Sequence, residues 1–150
     1  MITTKIQDLQ ELSDELDSFF SQFSQTKFKH GQSNVNYCDC IGLPIQYYKS
    51  KGYDVSWEAD LPRELVRYQG LRQLILSLPF RLATDEEIKN QVTLYLWMPG
   101  EVCAHIGMMV PEYLSNKTDN ASQLVYHVGQ AGLMREYIYP ETGENFILLP

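Results

Sequence analysis

The sequence predicts an α+β fold: a single domain with a mainly antiparallel central sheet, covered by an N-terminal helix, a middle helix and a later helix. Three observations lead there. The densest apolar run, Val92–Val110, alternates with a period of two and is broken once, at Pro99–Gly100, the pattern of two adjacent strands. The N-terminal stretch instead places apolar residues three and four apart, the helical period. The remainder mixes short β-rich and helical stretches, with no internal repeat and no linker long enough to divide 150 residues into two domains.

The first element is expected as a helix from about Lys5 to Gln25. Ile6, Leu9, Leu12, Leu16, Phe19, Phe20 and Phe23 form its apolar stripe, and Thr4 with Gln7 fits a capping box. Such a helix needs its stripe buried to be stable in water, either on the sheet or against a partner. Thr26–Asn36 reads as a polar loop. Asn36–Ile41 reads as a short strand, Gly42–Pro44 as a break, and Ile45–Lys49 and Tyr53–Trp57 as two strands around Ser50-Lys51-Gly52. On a strand, Tyr47 and Tyr48 would face opposite ways.

Asp60 and Pro62 announce the middle helix, with Leu61, Leu65, Tyr68, Leu71, Leu74, Ile75 and Leu78 on its buried side. Pro79 ends it. Thr84 with Glu87 forms a second capping box at the head of a short helix near Asp85–Asn90. In the central pair, Val92, Leu94, Leu96 and Met98 share one face and Thr93, Tyr95 and Trp97 the other. Both faces are apolar enough to be covered. A helix running on from Asp85 is the competing reading, but β-branched and aromatic content favours strand. Asn120 is expected to cap the later helix, with Leu124, Val125 and Val128 facing in. Leu133–Tyr139 and Glu144–Leu149 are expected to close the chain as a hairpin, with Gly143 free to take positive φ.

Composition narrows the function classes. Twelve Lys and Arg against nineteen Asp and Glu give a formal net charge of −7, which repels phosphate backbones and makes nucleic acid an unlikely main partner. No apolar run spans a bilayer without charges or turn residues, so no membrane insertion is expected. The acidic N-terminus does not read as a secretory signal. Cys38, Cys40 and Cys103 are an odd number, which without a signal fits a reducing compartment and a cytoplasmic location.

The residues that could carry chemistry are few. Cys38-x-Cys40 and Cys103-x-His105 would each place two ligands on one strand face, and three sulfurs with one nitrogen make a tetrahedral zinc set. One intervening residue is shorter than the usual spacing of such pairs. The simpler expectation is reduced, partly buried cysteines, with no metal and no cofactor. Cys103 could act as a nucleophile with His105 as base, although i and i+2 on a strand point the same way with their functional atoms far apart. His30 and His127 have nothing at ligand spacing beside them. Glu58, Asp60, Asp85, Glu86, Glu87, Glu101 and Glu112 are explained as helix-start or strand-flanking acids. Phosphate-loop, dinucleotide, metalloprotease, calcium-loop and serine-elbow patterns are missing.

The sequence therefore favours a non-catalytic cytoplasmic module that binds a protein partner or itself. Phe19, Phe20, Phe23, Tyr47 and Tyr48 are the interface candidates, since aromatics are enriched at interfaces. A small hydrolase or transferase with a Cys-His or carboxylate site is one alternative. A domain binding a small-molecule ligand is the other, and a deep apolar pocket with converging polar groups would distinguish it.

Overall fold

The computed structural model describes residues 2–29, 31–57, 71–97, 105–114, 122–139 and 143–149. Its elements run α1 (Ile2–Ser21), β1 (Lys27–Phe28), β2 (Tyr37–Cys38), α2 (Gly42–Ser50), α3 (Leu71–Leu76), β3 (Phe80–Leu82), α4 (Asp85–Asn90), β4 (Thr93–Trp97), β5 (Ile106–Met109), a 3-10 turn (Glu112–Leu114), β6 (Gln123–Gly129), β7 (Gly132–Ile138) and β8 (Gly143–Leu148). Six strands form one sheet in the order β3-β8-β4-β5-β6-β7, and every neighbouring pair is antiparallel. β1 and β2 form a separate parallel pair. The predicted α+β class and antiparallel sheet are thus what the chain forms, and β4 and β5 lie at its centre.

The two faces of the sheet are covered differently. Leu94, Leu96, Ile106, Met108, Leu124, Val128 and Phe146 join the main core with Phe19, Phe20 and Phe23 beside α1's axis and Leu43, Ile45, Tyr47 and Tyr48 of α2. Phe20 stacks flat on Tyr126 of β6, ring centroids 3.8 Å apart, and Phe19 meets Tyr47 edge-on at 5.4 Å. Each aromatic contact adds to the burial that holds an amphipathic helix in place. On the other face Tyr95, Met109 and Val125 pack with Ile88 of α4 and Ile138 of β7. That face also carries buried polar groups. Asn145 Nδ2 donates to Thr93 Oγ1 at 2.9 Å and approaches Met109 Sδ at 3.1 Å, while Gln123 Nε2 donates to the Ile88 and Val110 carbonyls.

Several expectations are corrected. The later helix from Asn120 is not formed: Gln123–Gly129 is strand β6. Leu124, Tyr126 and Val128 face one way and Val125 and His127 the other. With both faces buried, the apolar residues run together and imitate a helical stripe. The strand at Ile45–Lys49 is instead helix α2. Pro44 falls in its first turn, where a missing N–H costs nothing. Tyr47 and Tyr48 consequently both reach the core, being about 100° apart around a helix rather than opposed across a strand. Residues 53–57 join no described strand.

The closing strands form, but not as a hairpin. β8 pairs with β4 and β3, and β7 pairs with β6 through Gly129↔Gly132. Gly132 takes the positive φ, 94°; Gly143 does not. A side chain on Gly143 would instead collide with the Leu96 carbonyl and the Tyr95 ring. Helix α1 begins at Ile2, so Thr4 lies inside it and the Thr4–Gln7 box is not its cap. The Thr84–Glu87 box is formed in both directions. The middle helix is described from Leu71 on, and its predicted start at Asp60–Pro62 lies outside the described residues.

Candidate functional site

The polar sheet face holds a chain of three titratable side chains. His105, at the entry to β5, sits across from Trp97, whose N–H donates to the His105 carbonyl at 3.2 Å. His127 comes from the middle of β6. His105 Nε2 lies 2.7 Å from His127 Nδ1, and His127 Nε2 lies 2.5 Å from Glu136 Oε1 on β7. The three residues therefore step across three adjacent strands in one hydrogen-bonded line.

Local sequence makes the line possible. Met108↔Tyr126 and Met109↔Val125 set the β5–β6 register, and continuing it brings Gly107 opposite His127. His105 and His127 are diagonal neighbours, and the absent side chain at Gly107 leaves His127 room to lean across. A Cβ there would fall 3.0 Å from the His127 Cβ and 2.8 Å from the Tyr126 carbonyl. The Trp97 ring packs against both imidazoles, centroids 4.9 and 5.0 Å away.

His127 is buried, His105 half-buried and Glu136 half-exposed. Burial pushes the His105 imidazole down to about 4, with the neighbouring His127 acting in the same direction and the Glu136 carboxylate opposing both. His105 is thus neutral at neutral pH.

The second notable position is Cys40, half-buried and one residue before the cap of α2. The turn that carries it is tied down by buried Asp39. Its Oδ2 accepts from the Gly31 N–H and its Oδ1 from the Gly42 N–H, both at 2.7 Å. Gly42 is required there, because a Cβ would meet the Gln32 carbonyl at 2.5 Å and Cys38 Sγ at 2.7 Å. Helix α2 packs on β5 from the main-core side, with Ile106 and Met108, whereas His105 and His127 lie on the opposite face of the sheet. A thiol at a helix N-terminus lies where the backbone N–H groups favour the thiolate.

The predicted site residues divide as follows. Cys38 is fully buried in the main core and its Sγ contacts the Asp39 carbonyl at 3.3 Å. Cys38 ends β2 while Cys40 lies in the following turn, so the two thiols do not share a strand face as the x-spacing implied. Cys103 and His30 lie outside the described residues. Among the described residues no group of three His, Cys, Asp or Glu side chains is arranged to hold a metal ion. Phe19, Phe20, Phe23, Tyr47 and Tyr48 are between 1% and 9% exposed and pack into the chain's own core. Of the acids, Glu87 is held by Arg81 and the Thr84 cap, which draw its carboxyl down to about 2.

Sequence reading sets His127 aside for want of a neighbour at ligand spacing and misses Glu136. They are 22 residues and 31 residues from His105 in the chain, and no local spacing links them. The one available signal was the alternation Leu124, Tyr126, Val128 against Val125, His127. Read as a strand, it puts His127 on a sheet face.

No described helix is long and apolar enough to cross a membrane. Comparison of the chain with protein-family models, with curated proteins and with solved structures returns no match.

Proposed function

We propose that the protein is a small hydrolase in which His105 is the general base. The observation that carries this reading is the line from His105 through His127 to Glu136. A base held by a second group, itself hydrogen-bonded to a third, is the recurring arrangement that activates a weak nucleophile.

The described thiols are not placed to serve as its nucleophile. Cys38 is enclosed in the core, where a thiolate is disfavoured. Cys40 packs with α2 against the main core, on the sheet face opposite His105 and His127. The nucleophile is therefore taken as water. In the reaction His105 takes a proton from water as its oxygen attacks a carbonyl carbon, and the imidazolium so formed gives that proton to the leaving group as it departs.

The test is reaction with p-nitrophenyl acetate. The expected result is nitrophenolate release above the buffer rate that is lost in His105→Ala and kept in Cys40→Ala. Equal rates in wild type and His105→Ala overturn the assignment.

A second reading is supported by the sheet edge. β7 is the outermost described strand on its side; Tyr137 on it and Tyr139 just beyond its end are 42% and 48% exposed. An edge strand can pair with another chain, which would make this a protein-binding or self-associating module. Sedimentation velocity separates the two: a monomer over a wide concentration range removes the self-association reading.

A further inference from the structure

We infer that Glu136 is a positioning residue that fixes the tautomers of both histidines and so decides which nitrogen of His105 is the base. The inference deepens the proposed function and rests on His105 acting there as base.

The reasoning follows the protons along the line. An ionised carboxylate only accepts hydrogen bonds, so Glu136 Oε1, 2.5 Å from His127 Nε2, requires the proton to sit on that nitrogen. In a neutral ring the other nitrogen is then an acceptor. His127 Nδ1 therefore accepts from His105 Nε2, 2.7 Å away, and the His105 proton sits on Nε2. The lone pair left on His105 is at Nδ1. One carboxylate thus determines two tautomers in series, and only with both in place does His105 present an unprotonated Nδ1 rather than Nε2.

The placement of Glu136 fits such a role. It is opposite Val125 on β6 in the β6–β7 register, on the same sheet face as His127. Its side chain is half-exposed, 51%, while His127 is 4% exposed. The exposure means that replacing it removes little packing.

The experiment is long-range nitrogen–proton NMR of the imidazole rings in the intact chain near neutral pH. Wild-type protein is compared with Glu136→Ala and Glu136→Gln. Wild type is expected to show single Nε2–H tautomers for His127 and His105. Glu136→Ala is expected to lose that signature at both rings. Glu136→Gln keeps an acceptor oxygen without the charge and is expected to retain it, which separates hydrogen bonding from charge. A wild-type His127 carrying its proton on Nδ1, or tautomers at both rings unmoved by Glu136→Ala, overturns the inference. Because the readout is the imidazoles themselves, an absence of esterase activity would refute the proposed reaction and leave this result standing.

Discussion

Lowering the pH should weaken this fold through His105 in a window that can be stated in advance. Burial, with His127 beside it, holds the ring from its ordinary 6.5 down to about 4. The native state therefore binds fewer protons than the unfolded chain between those values, and stability must rise with pH across them. The contribution is complete above about pH 6.5 and is lost as pH falls toward 4. The depression corresponds to an upper limit of roughly 3 kcal/mol, and partial exposure of the ring reduces this by solvent screening to about 1–2 kcal/mol. Among the described residues, His127 and Glu136 are the titratable groups that act on His105. The assay is urea unfolding at a series of pH values between about 4.5 and 7.5, on wild type and His105→Gln. The wild-type midpoint should fall with acid more steeply than that of the variant, and the difference between the two curves is the His105 contribution. Parallel curves, or a wild type that gains on the variant toward acid, would refute the reasoning.

Two further perturbations address packing. Phe20→Ala removes a ring that is 3% exposed and stacked on Tyr126, so it should cost about 3–4 kcal/mol in urea unfolding; an unchanged midpoint would take Phe20 out of the core and return it to the interface candidates. Gly107→Ala would place a methyl 2.8 Å from the Tyr126 carbonyl and 2.9 Å from Val125 Cγ1, neither the far end of a flexible side chain. It should destabilise by about 1–3 kcal/mol and disturb the His105 and His127 ring signals together, whereas a neutral effect on both would mean that β5 and β6 are not so closely opposed.

What the sequence by itself determined is the set of elements whose period is clear and whose partners are near. The central strands β4 and β5 were legible because Leu94, Leu96, Ile106 and Met108 alternate around a single Pro-Gly break. Helix α1 was legible because its stripe repeats over several turns, and α4 because Thr84 and Glu87 complete a cap within four residues. Where period was ambiguous, tertiary burial decided. Gln123–Gly129 is buried on both faces, so its alternation was hidden. In Gly42–Ser50, a glycine and a proline that usually interrupt structure fall in a helix's first turn. Strand pairing was also beyond reach: β8 leaves its sequence neighbour β7 for a place between β4 and β3, where Gly143 fits beneath Tyr95. The same limit applies to the site. His105 was visible as a candidate with Cys103, two residues away, but its partners in the fold are His127 and Glu136. They meet because three strands align in one register and Gly107 leaves a gap between them, and a register relation across 31 residues has no counterpart in local spacing.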